Sequence, residues 1–392
     1  MIELVVNKNE ETKTIAAVEN GQLIEIYEEN KENQKARNEG NVYLGIVKDI
    51  VPGMQAAFID IGTEKNSFIH VKDVVPQVDE KVEKKAIPNI KDVVKPKQKI
   101  LVQIQKDSNE KKGARTSTHI KLTGKYVILM PNTNIVTISQ KITNEKEKER
   151  LLNAIKGKLP EDTGAIVRTA AEKKSEIELI KDLEQLIKKW KKIKSKFDEQ
   201  ENEPQLLYKS PSILEKLILD LPENKIEKIE VNDQNEYEEI KNILEELEET
   251  KIKLELKQNL LEKYDLQNQI EKAKQRKIWL NCGGFITIDE TEALVAIDVN
   301  SGKYTGKKTL EETVYKVNYE ATIEIAKQLR LRDIGGIIII DYIDMKKQEN
   351  KDRIEQLLKE SLKQDRAKTQ IEGFTKLNLM ELTRKHICSH NS

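Results

Sequence analysis

The sequence predicts a chain of several domains that mix α/β and α+β architecture, one of them a small β-barrel. Three observations support this fold class. The chain has 392 residues, enough for two or more domains. Residues 293–341 have the pattern of a strand, a helix and a second strand. Residues 40–118 contain short strands separated by Gly and Pro.

The strand–helix–strand pattern carries two aspartates. Residues 293–301 form an apolar run that reaches Asp298 and Asn300, and residues 336–341 form a second run that ends in Asp341. Short runs rich in β-branched residues predict fully buried strands. The helix between them is predicted from apolar residues at three- and four-residue steps: Leu310, Val314, Val317, Ala321, Ile325 and Leu329. Such a crossover makes the two strands parallel.

Asp298 and Asp341 are therefore expected at the carboxyl edge of one sheet, where open α/β sheets bind ligands. Two carboxylates without a neighbouring histidine or cysteine predict an all-oxygen site for Mg²⁺, with Mn²⁺ as the alternative and zinc disfavoured. A second interpretation stays open, because an aspartate after a strand can instead cap the next element.

The composition narrows the class of protein. Charged residues make up 35% of the chain, and the net charge is zero. Residues 81–125 nevertheless hold thirteen Lys or Arg against four Asp or Glu, which favours contact with a polyanion. Only Cys282 and Cys388 occur, so a disulfide framework is excluded and a cytoplasmic location is expected. No run has membrane-span length, and the first residues do not resemble a signal peptide.

Three strands are predicted before residue 28, with a hairpin turn at Asn20 and Gly21. The strands of residues 40–118 predict a barrel of the OB type.

Phe58 and Phe68 lie in the predicted barrel, and Lys106 and Lys112 follow in the sequence. Exposed aromatic rings beside lysines suit single-stranded nucleic acid, because the rings stack on bases and the lysines meet phosphates. The alternative interpretation places both rings in the core.

A phosphate clamp is predicted at Arg168 and Thr169. They end the strand of residues 164–170, and a helix from Glu172 to about Gln200 is expected to follow directly. A guanidinium and a hydroxyl beside a helix start can bind one phosphate. An ordinary surface pair is the alternative.

The chain resembles the ribonuclease E/G family. The resemblance covers nearly the whole chain and is carried by Ala-Ala-Phe-Ile-Asp-Ile-Gly at 56–62, Val-Arg-Thr-Ala at 167–170, Lys-Ile-Trp-Leu-Asn-Cys-Gly-Gly at 277–284, Ala-Ile-Asp-Val-Asn-Ser at 296–301, Arg-Leu-Arg-Asp-Ile-Gly-Gly at 330–336, Ile-Asp-Tyr-Ile-Asp-Met at 340–345, Gln-Asp-Arg-Ala-Lys at 364–368 and Leu-Thr-Arg-Lys at 382–385.

The resemblance implies a division into domains. These are an S1 RNA-binding domain with an OB fold at 38–119, a sensor of the RNA 5′ end at 120–206, an RNase H-like subdomain split between 1–37 and 207–276, a DNase I-like catalytic domain at 277–386, and a tail at 387–392.

The resemblance also implies roles for individual residues. Asp298 and Asp341 would hold one Mg²⁺, and Asn300 would complete the catalytic set by a hydrogen bond to Asp298. Phe58, Phe68 and Lys112 would contact RNA. A 5′-monophosphate would be surrounded by Gly124, Ile128, Arg168 and Thr169, with Ile128 in a position that holds valine elsewhere in the family.

The sequence departs from the family pattern near residue 386. Family members carry a Cys-Pro-x-Cys pair after the catalytic domain, where two subunits share a zinc ion. This sequence has His386, Cys388 and His390 and lacks the pair. No zinc site is expected, Cys388 is only a weak candidate ligand, and a homodimer or higher homo-oligomer stays an open expectation.

The predicted function is a Mg²⁺-dependent endoribonuclease that cleaves single-stranded RNA in the cytoplasm. It would prefer 5′-monophosphorylated substrates and act on rRNA precursors and on mRNA under decay. The alternatives are a non-catalytic single-stranded RNA-binding protein and a metal-dependent phosphatase or nuclease that acts on DNA. The paired aspartates favour the enzyme, because binding alone does not require them.

Overall fold

The computed structural model describes residues 1–30, 38–74, 88–108, 112–200, 203–221, 225–247, 249, 251–302 and 309–387. Their packing divides the chain into two compact units, one formed from residues 1–31 and 223–390 and the other from residues 32–222. The finer division into five domains stays a prediction. Among the described residues, no helix has both the length and the apolar composition that a membrane span requires.

The chain begins with three antiparallel strands of the first unit: β1 (Ile2–Lys8), β2 (Thr12–Glu19) and β3 (Gln22–Asn30). Between β2 and β3, Asn20 and Gly21 have φ angles of 51° and 76°. Two successive positive φ values are typical of the tight turn that matches strand twist in a hairpin. The predicted hairpin is confirmed.

The second unit contains a closed five-stranded barrel. Its elements are β4 (Val42–Val51), β5 (Ala56–Asp60), β6 (Ser67–His70), a one-turn helix α1 (Ile90–Val93), β7 (Lys99–Lys106) and β8 (Arg115–Ser117). The strand order is β4-β5-β6-β8-β7, and pairing of β4 with β7 closes it. The predicted OB-type barrel is confirmed.

The second unit continues with a small sheet and helices. Its elements are β9 (Leu122–Thr123), β10 (Val127–Pro131), β11 (Val136–Ile138), α2 (Glu145–Ile155), β12 (Thr163–Val167), α3 (Glu176–Glu199), β13 (Gln205–Tyr208) and α4 (Ile213–Asp220). The sheet order is β11-β12-β10-β9. Strand β13 pairs with β4 of the barrel, so residues 205–208 lie in this unit.

The start of α3 differs from the prediction. The chain forms a single 3-10 turn at Thr169–Ala171, and α3 begins only at Glu176. The predicted helix start at Glu172 is wrong because Ser175 forms a capping box with Glu178, which fixes the first helical turn there.

The first unit resumes with β14 (Ile226–Val231), α5 (Gln234–Glu246), β15 (Lys253–Leu256), α6 (Leu260–Lys263) and α7 (Leu266–Ala273). Strand β14 pairs in parallel with β1, and β15 pairs in parallel with β14. The resulting five-stranded sheet has the order β15-β14-β1-β2-β3. It therefore joins strands of residues 2–30 to strands of residues 226–256, which are far apart in the sequence.

The last sheet of the first unit carries the paired aspartates. Its elements are β16 (Lys277–Trp279), β17 (Phe285–Glu290), β18 (Val295–Asn300), α8 (Leu310–Leu331), β19 (Gly336–Asp341), α9 (Gln348–Ser361), β20 (Thr369–Phe374) and β21 (Leu379–Arg384). The order is β16-β17-β18-β19-β21-β20. Strands β18 and β19 are parallel, as predicted.

This sheet buries one face only. Side chains of α8 and α9 pack with Val295, Ile297 and Ile338 in one hydrophobic core. On the opposite face Ala296 is exposed, and Ile337 is 51% exposed. The predicted burial of both strand faces is therefore wrong. We call this second side the open face; it carries Lys277, Trp279, Phe285, Thr287, Asp289, Ala296, Asp298, Asn300, Ile337, Ile339, Asp341 and Glu381.

Candidate active site and nucleic-acid interface

Asp298 on β18 and Asp341 on β19 lie directly opposite each other in the parallel strand pair. Both side chains are exposed on the open face. Backbones of neighbouring strands are about 4.8 Å apart, so carboxylates at matched positions can share one ligand. The structure thus brings together the two predicted metal ligands.

Asn300 lies on the same face, two residues beyond Asp298 along β18. Its side-chain Nδ2 donates a hydrogen bond to Asp298 Oδ2 at 2.5 Å. The bond restricts rotation of the Asp298 carboxylate and occupies only one of its two oxygens. Asn300 can therefore orient a ligand without being one.

The charge state of Asp341 reflects a concentration of negative charge. Partial removal of the Asp341 carboxylate from water raises its pKa, although the residue is exposed overall, and the negative charges of Asp298 and Asp344 raise it further. Asp344 accepts a weak hydrogen bond from Asn378 Nδ2 at 3.4 Å. A divalent cation between the opposed carboxylates would relieve this repulsion, so the side chains present fit a hard metal ion.

The protein supplies few ligands to such an ion. Within the described residues, no group of three or more His, Cys, Asp or Glu side chains could hold a metal ion. An ion at Asp298 and Asp341 would complete its coordination shell with water or substrate oxygens. Mg²⁺ binds in this way at many phosphoryl-transfer sites.

A second carboxylate pair, on the five-stranded sheet, differs in its partners. Glu230 is fully buried, and its carboxylate accepts bonds from Lys263 Nζ at 2.6 Å and Tyr264 Oη at 2.7 Å. The Tyr264 hydroxyl oxygen also lies in close contact with the Glu3 carboxylate. Burial by itself would raise the pKa of Glu230, but these partners and Lys228 lower it to about 2. This pair is already neutralised by lysines, whereas Asp298 and Asp341 face mainly each other.

The described part of the tail does not indicate a zinc site. His386 contacts the Asp333 carbonyl oxygen through Nδ1 at 2.8 Å. Cys388 and His390 lie outside the described residues.

The barrel presents a row of side chains across its strands. Phe58 on β5 is paired with Phe68 on β6, and their ring centroids are 6.1 Å apart at an interplanar angle of 68°. Neither ring belongs to the barrel's core cluster, and both are half-buried. Across β8 and β7 the row continues to Arg115 and Lys106. This geometry favours the surface interpretation over the core interpretation.

Lys106 and Lys112 are both exposed. Lys112 precedes Gly113, where a Cβ atom would lie 1.9 Å from the Asn66 carbonyl oxygen. Only glycine permits this close approach of two backbones. The approach fixes Lys112 near the start of β6, the strand of Phe68.

The predicted phosphate clamp is more occupied than the sequence suggests. Arg168 Nη1 donates to the Gly124 carbonyl oxygen at 2.6 Å and to that of Lys125 at 3.3 Å. Its Nη2 forms an ion pair with Asp220 at the end of α4. Arg168 therefore shapes the loop that begins at Gly124 and already faces one carboxylate.

The other two predicted clamp residues lie nearby in the same small sheet. Thr169 is exposed, and its hydroxyl shares a hydrogen bond with Ser139 at 2.8 Å. Ile128 is half-buried on β10, opposite Ile166 of β12. Because Arg168 directly follows β12, the structure brings all four predicted residues to one region of the sheet.

One residue that the sequence did not predict anchors the loop of residues 124–126, the clamp loop. Asp182 on α3 accepts hydrogen bonds from the backbone N–H groups of Lys125 (3.1 Å), Tyr126 (2.8 Å) and Val127 (2.8 Å). A Cβ atom on Gly124 would lie 2.5 Å from Asp182 Oδ1, so the loop needs glycine there. Asp182 lies in the second turn of the 24-residue helix α3 and carries no local signal of this role.

Comparison with known proteins identifies the family. The model of the ribonuclease E/G family matches residues 121–387, and that of the S1 RNA binding domain matches residues 37–119. The chain belongs to the ribonuclease E/G family. It is 36% identical over 394 residues to ribonuclease G of Escherichia coli strain K12, covering 98% of this chain and 79% of that protein. Ribonuclease G of Haemophilus influenzae is 38% identical over 395 residues with the same coverage.

A ribonuclease E of Nostoc sp. is 36% identical over 354 residues, which cover 88% of this chain and 51% of that protein. Membership in the ribonuclease E/G family confirms the predicted resemblance and enzyme class, a phosphodiester hydrolase that acts on RNA. The S1 match agrees with the closed barrel. The family uses a divalent metal ion, which agrees with the opposed carboxylates.

Proposed function

We propose that this ribonuclease E/G family member is a Mg²⁺-dependent endoribonuclease that cleaves single-stranded RNA and prefers substrates with a 5′-monophosphate. The observation that carries the proposal is the register of Asp298 against Asp341, with Asn300 bonded to Asp298. In this proposal its substrates are rRNA precursors and mRNA under decay, and it works in the cytoplasm.

Asp298 and Asp341 would hold the ion, and the hydrogen bond from Asn300 would keep the Asp298 carboxylate in place for it. When bound, the ion supplies Lewis-acid polarisation of the scissile phosphate and lowers the pKa of water nearby. The reaction is in-line attack by water on phosphorus. The bond from phosphorus to the 3′ oxygen breaks, leaving a 3′-hydroxyl and a 5′-phosphate.

The barrel would hold the substrate strand. Phe58 and Phe68 present ring faces to bases, and Lys106 and Lys112 meet the phosphates. This combination binds single strands without reading a fixed sequence, because every base has a face that can stack. The proposed domain roles follow: S1 binding at 38–119, 5′-end sensing at 120–206, and catalysis at 277–386.

A 5′-monophosphate would meet Arg168 and the Thr169 hydroxyl, with the Gly124 loop fixed behind them. One charge-assisted hydrogen bond is worth about 1.5–3 kcal/mol, so a preference of roughly ten-fold or more should follow. Arg168→Ala should remove the preference and leave cleavage of 5′-hydroxyl RNA nearly unchanged. Equal wild-type rates on matched 5′-phosphate and 5′-hydroxyl oligonucleotides would refute the sensor role.

Labelled single-stranded RNA and DNA of the same sequence test the proposal. RNA cleavage with Mg²⁺, none with EDTA, and little DNA cleavage are expected. Binding of RNA without cleavage would favour a non-catalytic RNA-binding protein. Comparable cleavage of DNA would favour a general nuclease.

A further inference from the structure

Two aromatic side chains lie side by side on the open face of the catalytic sheet. Trp279 on β16 is paired with Phe285 on β17, and their ring centroids are 5.3 Å apart at 62°. Trp279 is 60% exposed with this contact in place. A large ring on an exposed sheet face contributes little to a hydrophobic core. Packing therefore does not explain why a tryptophan occupies position 279.

Lys277 adds a cation to this pair. Its Nζ lies 3.6 Å from the Phe285 ring centroid and 4.3 Å from that of Trp279. The ammonium is held by ring faces, an arrangement known as a cation–π contact. An exposed ring with a lysine beside it is the pairing that single-stranded nucleic acid requires.

Strand register places this group beside the proposed metal site. Phe285 lies directly opposite Asn300, and Thr287 lies directly opposite Asp298. Lys277 is paired with Thr287, so one row runs from Lys277 through Thr287 and Asp298 to Asp341. Lys277 is two strands from Asp298, about 10 Å at the usual strand spacing.

The remaining charges of this face decide the kind of ligand. Arg276 is paired with Asp289 through two contacts, and Asp298, Asp341 and Glu381 add carboxylates. The face is therefore not a general anion surface, and phosphate attraction alone would not select it. The exposed Trp279 ring, with one lysine beside it, favours a nucleobase whose phosphate passes close to Lys277.

We propose that Trp279, supported by Phe285 and Lys277, is a stacking site for a base of the substrate strand next to the scissile phosphate. The proposal rests on the proposed function, because it takes the cleaved phosphate to lie at Asp298 and Asp341. In this role Trp279 positions the strand; it takes no part in bond breaking.

The two tryptophans of the chain allow a direct binding test. Trp190→Phe removes the tryptophan of α3 and leaves Trp279 as the only one. Titration with a ten-nucleotide oligouridylate in EDTA, which prevents cleavage, should quench Trp279 fluorescence saturably. It should also protect the ring from iodide. Unchanged fluorescence and iodide access at saturating RNA would overturn the proposal.

The kinetic test compares Trp279→Ala, Trp279→Phe and wild type. Loss of one stacked base should raise KM about 5- to 100-fold, with kcat changed little. Trp279→Phe should recover most of the loss. Tyr319→Ala is the matched control, because Tyr319 is an aromatic residue of α8 with 41% exposure and lies outside the open face. It should leave KM unchanged.

Substrates with one abasic nucleotide, moved along the strand, locate the stacked base. At one position the abasic change should raise KM for wild type and have no further effect in Trp279→Ala. If Trp279→Ala cleaves every substrate like wild type, the stacking site is refuted while the proposed function stands. If the wild-type protein itself does not cleave RNA, the proposed function fails. The fluorescence titration alone then decides on the stacking site.

Discussion

The contact between Gly124 and Asp182 yields a quantitative prediction. Gly124→Ala would place a Cβ atom 2.5 Å from Asp182 Oδ1, which is too close, so the carboxylate must move. Moving it breaks its bonds to the N–H groups of Lys125, Tyr126 and Val127. Gly124 has no positive φ, so the backbone itself tolerates alanine. The cost of Gly124→Ala should therefore equal the cost of losing the Asp182 anchor.

The magnitude follows from those three bonds. Hydrogen bonds to a charged acceptor contribute about 1.5–3 kcal/mol each, and Asp182 is only half-buried, so water replaces part of the loss. We expect Asp182→Ala and Gly124→Ala each to lower the free energy of unfolding by about 2–4 kcal/mol. The double variant should be no worse than either single variant, because alanine at 182 removes both the bonds and the clash.

Urea unfolding in a Trp279→Phe background measures this effect. The remaining Trp190 lies on α3, the helix of Asp182, so its fluorescence reports on the second unit. A two-domain chain does not unfold in one step, and a local probe is therefore required. Additive costs in the double variant would refute the reasoning. The single variants should also lose the preference for 5′-monophosphate, since the loop that presents the Gly124 carbonyl oxygen to Arg168 would no longer be anchored by Asp182.

Two further predictions concern other regions. Phe58→Ala and Phe68→Ala should each weaken RNA binding by about 1–3 kcal/mol, and Lys112→Ala should reduce the salt slope of binding by about one; unfolding seen by circular dichroism would instead show that the rings are core. Glu230→Gln should destabilise the protein near pH 7. The folded pKa of Glu230 is lowered to about 2, so its ionised carboxylate stabilises the fold at pH values above the ordinary pKa of 4.5. This stabilisation is lost as the pH falls towards 2. Urea titrations at several pH values should show less acid sensitivity in the variant, and equal sensitivity would contradict the role of Lys263.

Local sequence signals predicted much of the fold. Asn20 and Gly21 specified a hairpin turn because positive φ is strongly tied to those residue types. The strand–helix–strand order predicted parallel strands with Asp298 and Asp341 at one carboxyl edge, because a helical crossover makes successive strands run in the same direction. The register that sets the two residues directly opposite each other came from the structure. The true start of α3 was also readable, since Ser175 and Glu178 have the spacing of a capping box.

Contacts distant in sequence were not predictable. Asp182 and Asp220 lie more than fifty residues from the backbone and guanidinium groups they bind. Nothing in a helical Lys-Asp-Leu segment indicates a carboxylate that anchors another loop. The partners of Arg168 were unpredictable for the same reason, because Gly124, Lys125 and Asp220 all lie more than forty residues away in the sequence.

The open face was missed for a different reason. Its apolar members, including Ile337 and Ile339, make the strands look continuously hydrophobic, which is the pattern of a sheet covered on both faces. Only the packing of α8 and α9 shows that one face is left exposed. An apolar and aromatic exposed face is unusual for stability alone, which is why it suggests a substrate.

The opposed carboxylates are the centre of this account, and their neutralisation tests it most directly. Asp298→Asn and Asp341→Asn keep the size of the side chains and remove one negative ligand each. Cleavage of a single-stranded 5′-monophosphate RNA in Mg²⁺ should be abolished in both variants, while RNA affinity measured in EDTA stays within about three-fold of wild type, roughly 0.7 kcal/mol. Near-normal turnover by Asp341→Asn at low Mg²⁺ would contradict the assignment of this pair as the catalytic metal site.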